Sequence, residues 1–543
     1  MTLPRSVSEV LTDHVEFEVE CIDRMYLNVF VPQLQRTGQV VGFLTRQRGA
    51  SIASTALVAP MSKQFVADIA GFARAHQVPV VRFAKGQRKD DVMHEHLAGF
   101  TGSDGIVFIG VAQEKARVFR TERRHNPVTG APYPWIVTST AVVNHYYFYA
   151  VDDDFGPFFL KFCSYFPYTA RLCINGNEYA KRQATKAGIG FTALDNGFAT
   201  FDDPTDVAAV QQICDGLTED KIDALLRKWL ARLPHPYTPH DRAAGYRYDL
   251  SILQAEFSLT QMLDAPVSGR IFFEQVIRDN LDLGRPDRVQ LIFNRRIHSG
   301  KKKPTPGRFR TRVITQQVTP SLYVDYKHTT IKQYHKEGRA LRTETTINDT
   351  YDFAIGRRLT NLPALREIGF SANRRLLDVQ RLSHDPADGT TALTGVTDPV
   401  HTATGQRVAG MRFTDPRVHA LFTVLCMFRL LPHGFTNTDL REHLEPLLGH
   451  HPGTFTSGQA TYDLRRLRHH GLIERIPHSH RYRVTTDGHR TALFLVRIQD
   501  RLLRDGLAQL ADPTDDASRT LRAASNTYDR AIDHLLTRAG LAA

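Results

Sequence analysis

The strongest constraint on the fold lies between residues 415 and 505, where helix caps, apolar periodicity and a hairpin signal follow one another in a fixed order. Asp415-Pro416 opens a helix with Val418, Leu421, Phe422, Val424, Leu425 and Phe428 on its apolar side, and Pro432 to Gly434 closes it. Thr436 or Asn437 caps a second helix from Thr438 to Leu448. Ser457 caps a third, in which Leu464 and Leu467 face inward while Arg465, Arg466, Arg468 and His469 face outward. Gly471 ends it. The stretches Leu472 to Ile476 and Arg481 to Val484 then read as a two-stranded hairpin carrying Arg475, Arg481 and Arg483. Three helices and a hairpin in this order predict a winged helix-turn-helix, whose third helix fits a major groove while flanking arginines meet phosphates.

The chain is long enough for several cores: 543 residues, 42% of them apolar. Lys and Arg total 69 against 57 Asp and Glu, a formal charge of +12 that favours a polyanionic partner. No apolar run approaches 20 residues and the N-terminus lacks an apolar leader, so the expectation is a cytoplasmic chain with no membrane partner. Five scattered cysteines with no CxxC pair read as reduced core residues. In His94-Glu95-His96 a charge separates the imidazoles, which disfavours the two-histidine motif of HUH endonucleases.

The expected fold class is α+β multidomain. Residues 1–111 form a small N-terminal α/β unit, with strand-like VVGFL, TALVA, VPVVRF and GIVFIGV around a helix from Lys63 to His76. After its VPVVRF strand, Lys85, Arg88 and Lys89 stand at a carboxyl end, where α/β folds bind ligands. Residues 112–205 form an aromatic antiparallel sheet, whose rings are either core or a platform for unpaired bases beside Lys161 or Arg171. In its Asp152-Asp153-Asp154-Phe155-Gly156 turn, Asp152 and Asp154 could hold a divalent metal, or simply make an acidic turn. Residues 206–290 read as a helical region, including helices at Leu250 to Leu263 and Arg270 to Asn280.

Residues 291–410 form a basic β-rich domain. Eight Lys/Arg and no acidic residue lie between positions 295 and 312, among them Lys301, Lys302, Lys303, Arg308, Arg310 and Arg312, a nucleic-acid track or a solvated loop. Alternating strands follow, in which Lys332, Tyr334 and Lys336 point together and Arg342 shares a face with Glu344. The winged helix occupies 411–510, and 511–543 hold a linker and a last amphipathic helix suited to packing back or to a homodimer.

With these residues in view, the chain resembles a widespread family of uncharacterised bacterial proteins sharing Asp23-Arg-Met-Tyr-Leu-Asn28, Phe83-Ala-Lys-Gly-Gln-Arg-Lys-Asp-Asp91, Cys163-Ser-Tyr-Phe-Pro-Tyr168 and the Ile331-to-Asn348 segment. That resemblance implies no particular activity. Within it, Ile331-Lys-Gln-Tyr-His-Lys-Glu-Gly338 followed by Arg342-Thr-Glu344 is similar to a strand pair of rolling-circle replication initiators. This second resemblance implies DNA nicking with Mg²⁺ held by Glu344 and a tyrosine nucleophile, for which Tyr334 and the nearby Tyr351 are candidates; His335 stands where an aspartate is common. The expected function is therefore nucleic-acid binding, DNA before RNA, in a mobile-element setting. A metal-dependent nicking or transposase-like enzyme is the first alternative, and an RNA-binding or protein-interaction scaffold the second.

Overall fold

The computed structural model describes residues 7–84, 86–279, 292–293, 306–316, 319–336, 338–382, 386–402, 405–412, 415–428, 434–449, 451, 453–477 and 479–499. Lys85, Lys301, Lys302, Lys303 and the expected C-terminal dimer helix lie outside the described residues. The strands are β1 (Val15–Phe30), β2 (Val80–Arg82), β3 (Gly105–His125), β4 (Pro132–Asp152), β5 (Gly156–Cys163), β6 (Ala170–Asn175), β7 (Phe191–Leu194), β8 (Gly197–Phe201), β9 (Asp249–Leu263), β10 (Arg308–Gln316), β11 (Thr319–Lys327), β12 (Thr329–Lys336), β13 (Ala340–Ile347), β14 (Val400–His401), β15 (Arg407–Val408), β16 (Ile473–Arg475) and β17 (Tyr482–Val484). The chain folds into two compact units: Phe17–Met262 with Arg342–Phe370, and Met1–Glu16 with Leu263–Leu341 and Ser371–Ala543. No described helix is long and apolar enough to cross a membrane.

The first unit is built on a mixed sheet in the order β13-β9-β1-β6-β5-β4-β3-β2. β2 runs parallel to β3, while β3, β4, β5, β6 and β1 pair antiparallel in turn. The helix Ala59–Ala75 repeats apolar residues at helical spacing, so Phe65 meets Phe162 of β5 and Phe72 meets Phe148 of β4, with ring centroids 5.9 and 6.2 Å apart. Val92 of the helix Lys89–Ala98 joins Phe108, Tyr147 and Tyr149 in a second cluster. Asn175 caps the helix Gly176–Lys186 by accepting from the backbone N–H of Asn177 at 2.9 Å, and Ala180 and Ala184 bury against Val19, Cys21 and Cys214. The rings of Tyr147, Phe148, Tyr149, Phe158 and Phe162 are thus core rather than a platform, and all five cysteines are buried and outside any disulfide.

Two sequence expectations change here. Residues 250–263, expected as a helix, form β9, a strand between β1 and β13. Its last seven residues are buried whichever way they point, and a run covered on both faces loses the two-residue alternation that marks a strand. VVGFL and TALVA, expected as strands, lie in helical turns at Thr37–Gly42, Phe43–Gln47 and Thr55–Val58. Local caps decide these short runs: Arg36 N–H donates to the Gln39 side chain at 3.0 Å, and Ser54 Oγ accepts from Ala56 N–H.

In the second unit the stretch expected as alternating strands forms an antiparallel meander, β10, β11 and β12. Its C-terminal part comprises helices Pro416–Phe428, Asn437–Leu447 and Ser457–His469, the antiparallel hairpin β16–β17, and the helix Thr486–Ile498. Thr436 and Thr456 each close a reciprocal capping box, with Asp439 and Gln459. Gly434 has φ +65°, and a side chain there would meet the Tyr482 carbonyl at 2.3 Å, so glycine lets the chain pass under β17.

Candidate functional site

In the first unit the parallel pair β2–β3 sets the geometry of a pocket. After Arg82 the chain leaves the sheet through a turn in which Gly86 has φ +83°, then enters the helix Lys89–Ala98. Phe83 packs against Gly110 of β3; a Cβ there would meet its ring at 2.4 Å, so this approach also requires glycine. A cavity of about 560 Å³ opens here, lined by Arg82, Phe83, Gln87, Lys89, Glu114 and Asn144 among others.

Lys89 and Glu114 of that wall belong to a connected charge cluster that reaches behind it. Lys89 donates to Glu114 Oε1 at 2.5 Å and to the Tyr147 hydroxyl at 2.6 Å; Tyr147 donates to the same carboxylate, and Lys161 donates to its other oxygen. Burial alone would raise the Glu114 pKa, but hydrogen bonds from Lys161, Lys89 and Tyr147 bring it down to about 2. Burial lowers the Lys161 pKa against the pull of Glu114, and pushes the Tyr147 phenol up. Burial, reinforced by the Lys161 charge, holds His145 down at about 4, so it is neutral at pH 7. Among the described lining residues, Arg82 and Lys89 against the one carboxylate of Glu114 leave a net positive wall suited to an anion. No serine, threonine, cysteine or histidine lines the cavity among the described residues. Of the three cations expected at this strand end, Arg88 is exposed and 3.9 Å from Asp91, while Lys89 points inward.

The residues expected to hold a metal are occupied by protein groups. Asp152 Oδ1 accepts from the backbone N–H groups of Asp154 and Phe155, and its Oδ2 accepts from Lys228 Nζ and Trp229 Nε1, both at 2.7 Å. Asp154 instead pairs with Lys186 at 2.7 Å. These are the contacts of an acidic turn. Glu344 accepts from Arg342 Nε, and the fully buried Arg342 also donates to Asp23 Oδ2 at 2.7 Å and Thr260 Oγ1 at 3.0 Å. Tyr351 is exposed, with the Arg357 guanidinium 5.6 Å from its ring centre. In the second unit Lys332 Nζ lies 4.0 Å over the Tyr334 ring. His335 is packed on Phe273 and over Gly269, where a Cβ would meet the imidazole at 1.5 Å, and burial lowers its pKa to about 4.

On the helix Ser457–His469, Arg465 and Arg468 are exposed. Arg465 donates to the Gln406 side-chain oxygen, and Arg466 donates to the carbonyls of Gly410 at 2.5 Å and Ala409 at 3.4 Å. Arg466 therefore fastens the preceding segment to the helix. His469 is lowered first by desolvation and then by the charges of Arg468 and Arg465. On the hairpin Arg475 donates to the Ser479 carbonyl, Arg481 to the Gly434 carbonyl at 2.8 Å, and Arg483 pairs with Glu474 at 2.6 Å. Arg308 is an exposed residue at the start of β10; Arg310 and Arg312 follow on the same strand, opposite Asp325 and Tyr323 in register.

Sequence reasoning missed Glu114, Tyr147 and the buried pair Arg417–Asp463, in which Arg417 donates from Nε at 3.0 Å and Nη2 at 2.7 Å. The available signal was Lys161, a single cation inside the apolar run Phe158 to Phe162, which demands a buried partner. The chain matches no protein-family model, no curated protein and no solved structure.

Proposed function

We propose that the chain binds nucleic acid, duplex DNA before RNA, with residues 416–498 acting as a winged helix-turn-helix. The observation that carries this reading is the charge presented by the third helix and hairpin: Arg465, Arg468 and Arg475 are exposed, and none of them is ion-paired among the described residues. The two carboxylates on these elements do not cancel that face. Asp463 is buried against Arg417, and Glu474 pairs with Arg483 alone. A helix of 13 residues with Arg465 and Arg468 outward fits a major groove, and the hairpin lets Arg475 reach the backbone beside it. Nicking at Glu344 is less favoured, because catalysis needs a carboxylate open to Mg²⁺ and this one is engaged by Arg342.

The test is a mobility-shift titration of the full chain with a pool of duplex fragments. Arg465→Ala with Arg468→Ala should weaken association at least tenfold while the thermal melt stays unchanged. Equal affinity in the variant would remove this helix from binding and leave a protein-contact role for the module.

A further inference from the structure

A different surface, in the first unit, carries a second inference. β3 and β4 are each 21 residues long and pair without a break from Ala112↔His145 to His125↔Pro132, ending in a turn where Asn126 Oδ1 accepts from Val128 N–H at 2.9 Å. Toward that turn, Arg124 faces Tyr133, Glu122 faces Trp135 and Arg120 faces Val137 in register, so these six side chains share one face of the ribbon. Trp135 is 46% exposed and Tyr133 38%. Their rings meet edge to face at 6.3 Å, and the Arg124 guanidinium lies 5.0 Å from the Trp135 ring centre. The other face presents exposed Arg123 and His125.

A two-stranded ribbon gains nothing in stability by keeping two large rings in water, since their burial is worth more than any contact they make here. Across residues 115–135, Lys115, Arg117, Arg120, Arg123 and Arg124 stand against the single carboxylate of Glu122. Exposed rings interleaved with cations are the surface that stacks unpaired bases and neutralises their phosphates. Even-numbered residues of β3 continue this face inward to Glu114 at the pocket wall, ten residues and about 33 Å away at about 3.3 Å per residue.

We propose that the outer β3–β4 ribbon is a binding arm for single-stranded nucleic acid, with bases stacking on Trp135 and Tyr133 and phosphates meeting Arg120, Arg123 and Arg124. This deepens the nucleic-acid reading and rests on it, but the arm lies in the other unit and binds without the helix Ser457–His469.

The chain has two tryptophans, and the second, Trp229, is 2% exposed, so ligand-dependent emission reports Trp135. The full-length protein is titrated with a single-stranded oligo-dT, following tryptophan fluorescence and, in parallel, anisotropy of a labelled strand. Saturable quenching is expected. Trp135→Phe should abolish the quenching, and Trp135→Ala with Tyr133→Ala should weaken strand affinity at least tenfold with no change in the melt. Oligo-dT binding without quenching, affinity unchanged in the double variant, or quenching by anionic lipid vesicles and not by oligo-dT would each overturn the proposal. Arg465→Ala with Arg468→Ala separates the two readings: it should lose duplex affinity and keep oligo-dT quenching. A wild-type chain that shifts duplex DNA yet ignores oligo-dT sinks the arm alone; one that binds neither sinks both.

Discussion

Replacing Glu114 by Gln removes the one negative charge from a cluster that holds two lysines, and the cost follows from where those lysines sit. The Lys161 side chain is 8% exposed and that of Glu114 28%, so water screens neither charge fully. Depressing the carboxyl from 4.5 to about 2 corresponds to about 3.5 kcal/mol at about 1.4 kcal/mol per unit, which solvent screening of a half-buried carboxylate brings down to about 3 kcal/mol, an order-of-magnitude figure. It falls at the lower end of the roughly 3–5 kcal/mol lost when one partner of a buried pair is removed. Because the folded-state pKa is depressed, this stabilisation is complete above pH 4.5 and disappears as the pH falls toward 2. Urea unfolding of the first unit can be followed through Trp229, whose ring lies 5.1 Å from Phe158 of β5, in a Trp135→Phe background. Glu114→Gln should lose about 3 kcal/mol at pH 7, and the gap from the parent should narrow below pH 4.5. Adding Lys161→Met, which removes the orphaned cation, should recover most of the loss. An unshifted midpoint at pH 7, or a deficit as large at pH 3 as at pH 7, would refute the reasoning.

Arg417→Ala strands the Asp463 carboxylate, 1% exposed, and should lower the melting temperature of the second unit; Asp463→Asn in the same chain should restore much of it, and a melt unaffected by Arg417→Ala would show the pair to be idle. Burial and the neighbouring Asp23 charge push Glu256 up to about 7, so its contribution is present below pH 4.5 and lost as the pH rises through 7. Glu256→Gln should therefore gain on the parent in urea unfolding from pH 4.5 to pH 7 and hold that gain above it; a pH-independent difference would contradict the assignment.

Local order was readable from the sequence wherever a cap or a strict period set it. The starts of the helices at Pro416, Asn437 and Ser457 and the two strands of the hairpin fall within a residue or so of their expected positions, because Thr436 and Thr456 accept from first-turn backbone N–H groups whatever lies around them. Long-range assembly was not readable in the same way. A parse into consecutive blocks cannot express a sheet that draws β1 from residues 15–30, β9 from 249–263 and β13 from 340–347. The site divided along the same line. The strand-end position of Lys89 was legible because β2 and the helix after it are local, whereas its partners Glu114 and Tyr147, and Lys161, which shares Glu114 with it, come from three other strands. Arg342 and Glu344 were expected on one face, but not as a pair closed by Asp23, 319 residues away. The outer ribbon was hidden for a related reason: strand propensity does not say how far a hairpin outruns the layer that covers it.

The claim that the third helix and hairpin grip DNA through phosphates is tested most directly by the salt dependence of duplex binding to the full chain. Contacts from Arg465, Arg468 and Arg475 predict a straight fall of log K with log salt, with a slope of about −2.7 at about −0.9 per phosphate contact. The Arg465→Ala, Arg468→Ala chain should flatten it to about −0.9. A slope near zero, or one that the double substitution leaves unchanged, would contradict the account.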